Sequence, residues 1–165
     1  LSLFRELGPV MAGLMVAARC GSAMAAQIGT MRVTQQIDAL EVMAVDPVSY
    51  LIMPRIVAGL FMLPLLTIIF NVSGIFGSYV ISIGLLEINE ATFFDKMVVY
   101  VKDTDLWNGL SKAAVFGIII AVVGCRKGFL TGGGAEGVGR STTQAVVISS
   151  VTILIADYFL TALMF

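Results

Sequence analysis

Histidine is absent from this chain, and charged residues are scarce. The 165 residues include no histidine, two cysteines and one tryptophan, and 13% are Asp, Glu, Lys or Arg. Without histidine, Ser-His-Asp triads and most zinc sites are excluded. Cys20 and Cys125 stand too far apart to match a metal-binding or disulfide spacing. The sequence therefore offers no histidine-based triad and no recognisable metal or disulfide spacing.

Apolar residues dominate the composition. They make up 58% of the chain, and the mean hydropathy is +0.98. Soluble domains are about half apolar and about a quarter charged, so this composition indicates an integral membrane protein. The net charge of −1 gives no electrostatic reason to expect a nucleic-acid partner.

Long apolar runs predict the architecture. A transmembrane helix needs roughly 20 mostly apolar residues, and the sequence predicts such helices at about residues 7–28, 56–86, 106–125 and 143–165. The expected fold is a single all-α domain, a polytopic membrane protein with four transmembrane helices. Because the sequence begins at Leu1 rather than Met, we expect further residues upstream.

Lysine and arginine positions orient these spans. Cytoplasmic connections of membrane proteins carry an excess of Lys and Arg. The first and third connections contain Arg32, Arg55, Arg126, Lys127 and Arg140, and the opposite side contains Arg5, Lys96, Lys102 and Lys112. The bias is small, but it places the insert after the first span and the third connection in the cytoplasm.

The insert between the first two spans has helical periodicity. One face is apolar, with Val33, Ile37, Leu40 and Ala44. The polar residues are Arg32, Gln35, Gln36, Asp38 and Glu41. A cytoplasmic helix is predicted over about residues 31–45, because Pro47 disfavours helix before it. Its mixed charge argues against a lipid anchor and favours docking to a soluble partner. The alternative is a helix that only closes the connection.

Polar residues within the spans mark a second region of interest. Arg19 lies mid-span, where a charge costs at least ~2.5–3.5 kcal/mol on insertion scales. It needs water or a partner, and Asp157 in the fourth span is the candidate. The two residues either form a structural ion pair or line a path through the membrane; otherwise the predicted span is wrongly placed. Asn71 is a further intramembrane polar residue.

Small residues recur at every fourth position of the first span. They are Gly13, Ala17, Gly21, Ala25 and Gly29. Residues at this spacing share one helix face, and a face without large side chains lets another helix approach closely. We therefore predict a packing seam along this face.

The third connection is rich in glycine. Its G-A-E-G-V-G-R-S, residues 134–141, is similar to a phosphate-binding loop, but that motif requires a strand before it and a helix after it in an α/β domain. Here it joins two spans, so a flexible turn is expected instead. Ser141, Thr142 and Thr143 are candidate N-caps for the last helix.

Several ordered motifs resemble those of the MlaE (YrbE-type) permease family. They are R-E-L-G-P-V from Arg5, A-A-R-C-G-S-A from Ala17, T-Q-Q-I-D-A-L-E-V-M-A-V-D-P in the insert, P-R at Pro54, L-P-L-L-T from Leu63, G-R-S-T-T from Gly139, and the ending A-D-Y-F-L-T-A-L-M-F. The resemblance runs from the first residue to the last. It implies the permease subunit of an ABC transporter that carries phospholipid between inner and outer bacterial membranes and maintains outer-membrane lipid asymmetry.

The resemblance also implies partners and a location. Such permeases are multi-pass proteins of the inner membrane and form homodimers, and the four spans here would be the last four of about five. Their partners are a cytoplasmic ABC ATPase subunit that binds the ATP, a periplasmic ring of MCE-domain proteins and often a STAS-domain protein.

Individual positions carry implied roles. Arg5 and Glu6 match the family's R-E at the outer mouth of the dimer cavity, where lipid is held and where an arginine can pair with a phosphate. They would otherwise only anchor the helix end. The insert matches the coupling helix, which contacts the ATPase. Many members carry E-Q or E-E where this chain has Gln35 and Gln36, so one charge is missing here.

Two other functions remain open from the sequence. An ion-coupled secondary transporter would use Arg19 and Asp157 as a proton relay and would work without an ATPase. A structural subunit that anchors the MCE ring would contain no lipid, and Arg5 and Glu6 would then be replaceable.

Overall fold

The structure, a computed structural model, describes residues 1–164, and over that range it is built from helices alone. The helices are α1 Leu3–Val33, α2 Gln36–Val42, α3 Val48–Gly84, α4 Glu90–Tyr100, α5 Asp103–Phe129 and α6 Gly134–Met164. Four of these, α1, α3, α5 and α6, are long and apolar enough to cross a membrane. The predicted all-α, four-span membrane fold is confirmed.

The membrane helices differ in length from the apolar segments identified in the sequence. α1 and α5 extend beyond residues 7–28 and 106–125 at both ends, and α3 begins before residue 56. Their polar end turns continue the backbone hydrogen-bond pattern, although hydropathy no longer marks them. Phe165, the last residue of the predicted fourth span, lies outside the described residues.

The start of α6 corrects a prediction. The helix begins at Gly134 rather than near residue 143, because the turn is confined to Gly133 and Gly134, whose φ angles are +86° and +68°. The proposed N-caps, including Ser141, therefore lie inside the helix. The hydroxyls of Thr142 and Thr143 donate to carbonyls one turn earlier. The glycines after the turn are accommodated within the helix, at a cost in helix propensity.

The predicted packing seam of α1 is present. Gly13, Ala17, Gly21, Ala25 and Gly29 are all buried. A Cβ built on Gly124 of α5 would lie 3.0 Å from the carbonyl oxygen of Gly21, so the two helices meet nearly backbone to backbone. This contact places the whole length of α1 against the centre of the bundle.

Helix α5 is the centre of the bundle and contacts α1, α3 and α6. It crosses α3 at Gly59 and Gly117, where a Cβ on Gly59 would lie 2.6 Å from the Gly117 carbonyl oxygen. Phe116, Ile120 and, from α6, Ile153 form the apolar core beside this crossing. Any side chain at Gly59 would force the two helices apart.

The two ends of the bundle carry different connections. α2 and the turn before α6 lie at one end, where Gly29 of α1 packs against the Thr131 side chain. We name this the coupling-helix end. The opposite end carries α4 and the first turns of α1.

Helix α2 is shorter than predicted. The sequence indicated one helix over about residues 31–45, but α1 continues to Val33, and Gln35 adopts a left-handed conformation with φ 61° before α2 begins. Beyond the end of α2 at Val42, the chain turns at a left-handed residue, Ala44, with φ 58°. The N–H groups of Ala44 and Val45 donate to Glu41 and Leu40, which forms a Schellman cap. The periodic spacing of apolar residues continues across the turn at Gln35, and this spacing predicted a single helix.

Ala44 therefore carries a side chain where glycine is favoured. Replacing Ala44 with glycine should stabilise α2 locally, by about 1 kcal/mol at most, because the left-handed conformation is unfavourable for residues with a Cβ. Amide hydrogen exchange of residues 36–42 would measure this as increased protection. Ala39→Gly, inside the helix, should instead decrease protection. Equal effects of the two changes would contradict the cap assignment.

Candidate functional site

A buried lysine organises the end of the bundle opposite α2. Lys112 lies in α5 and its side chain is 0% exposed. Its Nζ is 2.9 Å from Glu6 Oε2 of α1 and 3.2 Å from Asp157 Oδ1 of α6. It also donates to the Thr161 hydroxyl at 2.7 Å. A charge inside the membrane region is stabilised only by such partners, so one ammonium ties three helices together.

Local structure explains how these groups meet. Gly109, one turn before Lys112, faces the first turns of α1, and a Cβ there would collide with the backbone oxygen of Phe4. The glycine therefore lets α1 come close enough to bring Glu6 over the lysine. Asp157 and Thr161 are four residues apart on α6 and share one face.

A second ion pair adjoins the cluster. Arg5 Nε lies 3.7 Å from Asp105 Oδ1 at the start of α5, and the Arg5 side chain remains 32% exposed. The Glu6 side chain is 35% exposed. The two residues that the motif resemblance assigned to lipid binding thus lie at the mouth of a charged cluster with both side chains reachable from outside. We refer to Arg5, Glu6, Asp105, Lys112 and Asp157 as the outer charge cluster.

The expected pairing of Arg19 with Asp157 is not what the structure contains. Asp157 pairs with Lys112, and Arg19 is exposed, without an ion pair or side-chain hydrogen bond among residues 1–164. In the sequence, Lys112 counts among the charges that orient the spans, so it is not predicted as a partner for Asp157. α5 begins at Asp103, which places Lys112 nine residues into the span.

Charged residues of α1 coincide with irregular helical turns. Arg5 and Glu6 lie in the π-helical turn Leu3–Leu7, and Arg19 lies in another, Ala17–Gly21. Such wider turns inside α-helices are frequent at functional sites. Arg5, Glu6 and Arg19 therefore lie on locally distorted backbone, whereas Arg32 lies in a regular α-helical turn of α1. A sequence pattern does not reveal this difference.

Asn71 occupies a buried position beside the outer charge cluster. It is 4% exposed, and its Oδ1 has no hydrogen-bond partner among the described residues. It packs directly against Gly8 of α1, where no side chain fits. A buried amide oxygen without a partner is costly, so this atom is a ready acceptor for a donor from water or a ligand.

At the coupling-helix end, the predicted contact residues of α2 face outward. Gln35, Gln36, Asp38 and Glu41 are exposed. Arg32 belongs to α1 rather than to α2, and its guanidinium lies 3.2 Å from Asp38 and 5.4 Å from the Phe129 ring centre. Val42 is 89% exposed and Met43 70% exposed. The end of α2 thus combines exposed apolar side chains with a rim of mixed polarity.

The segment after α2 is fixed by a capping carboxylate. Asp46 accepts hydrogen bonds from the Ser49 hydroxyl at 2.7 Å and the Val48 N–H at 3.2 Å. These bonds, the Ser49 bond foremost, lower the pKa of Asp46 below its ordinary value. The capping therefore persists at neutral pH and is lost only as pH falls through that lowered pKa.

Removing Lys112 tests the outer charge cluster. Lys112→Met should cost ~3–5 kcal/mol of stability, because it leaves two neighbouring carboxylates without their cation. The triple variant Lys112→Met/Glu6→Gln/Asp157→Asn should recover most of that loss. Circular dichroism during thermal unfolding in detergent would compare them. Lys96→Met, an exposed lysine, is the control and should change little. Equal losses in the single and triple variants would contradict the ionic role.

Known permeases are similar to this chain along its length. Residues 1–163 match the family described as Permease MlaE. A probable ABC transporter permease protein of Rickettsia bellii is 48% identical over 165 residues, covering 100% of this chain and 64% of the relative.

More distant relatives carry more specific names. TRIGALACTOSYLDIACYLGLYCEROL 1, a chloroplastic protein of Arabidopsis thaliana, is 42% identical over 165 residues, covering 100% of this chain and 47% of the relative. The intermembrane phospholipid transport system permease protein MlaE of Haemophilus influenzae is 39% identical over 166 residues, covering 100% and 64%. The chain thus spans less than two thirds of these relatives' length. Because the family match covers nearly every residue, the chain belongs to the MlaE permease family.

Proposed function

We propose that this chain is the membrane permease subunit of an ABC transporter that moves phospholipid between the inner and outer membranes of a bacterium. The observation that carries the proposal is the separation of two polar sites by the length of the bundle. A charged cluster with an accessible arginine lies at one end, and a short exposed helix lies at the other. The similar proteins of Rickettsia bellii and Haemophilus influenzae, both named as transport permeases, support the same function.

The cargo site is the mouth of the outer charge cluster. A phospholipid carries an anionic phosphate, and Arg5 offers a partly exposed guanidinium there. Guanidinium groups suit phosphate because their fork of donors matches its oxygens. Glu6 holds Lys112 and keeps the entrance from becoming purely cationic, which favours release as well as binding.

The ATPase site is α2. Its exposed carboxylates Asp38 and Glu41 and the apolar Val42 and Met43 suit a groove on a soluble partner. ATP is bound and hydrolysed by that partner, and the permease contributes no cofactor. Movement of α2 is transmitted to α1 and α3, to which short connections of a few residues join it.

A homodimer is part of the proposal, and Arg19 supports it. The guanidinium lies at the middle of the 31-residue α1 and is exposed. Facing lipid there, it would be strongly unfavourable. A second copy that encloses a polar cavity beside α1 supplies the water or partner that it needs. The periplasmic MCE ring, the STAS-domain protein and the inner-membrane location follow from family resemblance alone.

Charge reversal on α2 tests the coupling role. Asp38→Lys combined with Glu41→Lys should weaken association with the ATPase subunit at least about tenfold, since a lost charge pair at an interface costs 2–5 kcal/mol when it is buried. Co-purification and ATPase activity in vesicles would measure it. Glu136→Lys, whose side chain is 90% exposed on the same side, is the control. A double variant that keeps full association would remove α2 from the interface.

Native mass spectrometry of the full-length protein, purified with the products of its own operon, tests the assembly. Two permease copies with two ATPase subunits and added mass equal to phospholipid are expected. Arg5→Gln should reduce the bound phospholipid while leaving the subunit count unchanged. A permease that carries neither ATPase nor lipid would contradict the proposed transporter.

A further inference from the structure

An apolar groove opens between α1, α3 and α5, away from the outer charge cluster. It has a volume of about 270 Å³ and is lined by Val16, Cys20 and Met24 of α1, with Ala58, Met62 and Leu66 among the α3 side chains. Gly59 and Gly117 also line it, at the point where α3 and α5 cross. Apart from Arg55, the residues that line it are apolar or small, which suits an acyl chain.

One end of the groove carries an arginine. Arg55 lines the groove, and its guanidinium donates to the Leu51 carbonyl and to Gln27 Oε1, both at 2.8 Å. Those bonds fix the side chain but use two of its five N–H donors. Within residues 1–164 no carboxylate pairs with it. The Arg55 guanidinium is thus fixed in position without a carboxylate to neutralise it, so it is suited to bind an anion.

The length of the groove fits one leaflet. From Arg55 to Leu66 the axial rise is about 16 Å, and half of the hydrocarbon core is about 15 Å. Arg55 lies about 10 Å from the start of α3, a helix of about 55 Å that exceeds the core by some 25 Å. Arg55 therefore lies at the level of the lipid headgroups, and the groove extends from it into the acyl region of the same leaflet.

We propose that this groove binds one phospholipid of the leaflet on the coupling-helix side, with its phosphate on Arg55 and one acyl chain along α3. The site is separate from the cargo site at Arg5, at the other end of the bundle, and does not depend on the proposed transport. Both parts of the site select the ligand. A lipid without an anionic headgroup would leave the charge of Arg55 unneutralised, and a free phosphate would leave the apolar groove empty.

Photocrosslinking tests the site in the full-length protein. The probe is phosphatidylglycerol with a diazirine in its acyl chain, added to vesicles of phosphatidylethanolamine and phosphatidylglycerol. Crosslinks are expected within the groove segments of α1 and α3. Arg55→Gln should lower their yield about tenfold, because a hydrogen bond to a charged group is lost. Arg55→Lys should retain part of the yield, since the charge remains without the fork.

A second variant separates the tail from the headgroup. Ala58 is exposed in the groove, so Ala58→Phe should fill it and abolish the crosslinks while leaving Arg55 in place. Arg140→Gln is the matched control, because Arg140 is 74% exposed on the same side and pairs only within its own helix. Unchanged crosslinking in both groove variants, each shown to be folded by its thermal transition, overturns the proposal.

Cys20 can distinguish a phospholipid from a second copy of the chain as the occupant of the groove. It is exposed and lines the groove, whereas Cys125 is buried. A groove filled by a phospholipid gives no Cys20–Cys20 disulfide on oxidation in membranes, and Arg55→Gln should speed alkylation of Cys20 by N-ethylmaleimide. A Cys20–Cys20 disulfide between copies would show that a second copy covers the groove, and it would overturn the lipid assignment.

Discussion

A lysine ammonium inside a membrane bundle has to be neutralised by neighbours, and this requirement fixes the outer half of the structure. Lys112 is completely buried in the central helix. Its partners Glu6 and Asp157 come from the first and last membrane helices, so the relative placement of three helices is set by one group. Breaking such a pair costs far more than removing it whole, which makes the cluster a constraint on packing rather than a source of stability.

Close helix contacts make that cluster possible. Gly109 lets the start of α1 approach α5, and the crossing of Gly59 with Gly117 holds α3 against the same helix. Without Gly109 the start of α1 would stand farther from α5, and Glu6 would be carried away from the Lys112 ammonium. The apolar groove between α1, α3 and α5 includes Gly59 and Gly117 in its lining.

The two ends of the bundle differ in their polar groups. The outer end carries five ionisable groups drawn from three helices, and the transporter that we propose uses them to meet a charged cargo. The coupling-helix end carries a short exposed helix on brief connections, and the same proposal assigns it to contact with the ATPase. Arg19 lies between the ends, exposed and without an ion pair among residues 1–164.

The sequence by itself determined the membrane class, the four spans and the packing seam, because hydropathy and the spacing of small residues are local properties. Motif resemblance indicated the family and drew attention to Arg5 and Glu6. Only the tertiary structure decided that Asp157 pairs with Lys112 rather than Arg19, since residues 45 apart in sequence meet only through helix packing. The short α2 and the early start of α6 likewise depend on left-handed turn residues, Gln35 and Gly134, which periodicity does not register.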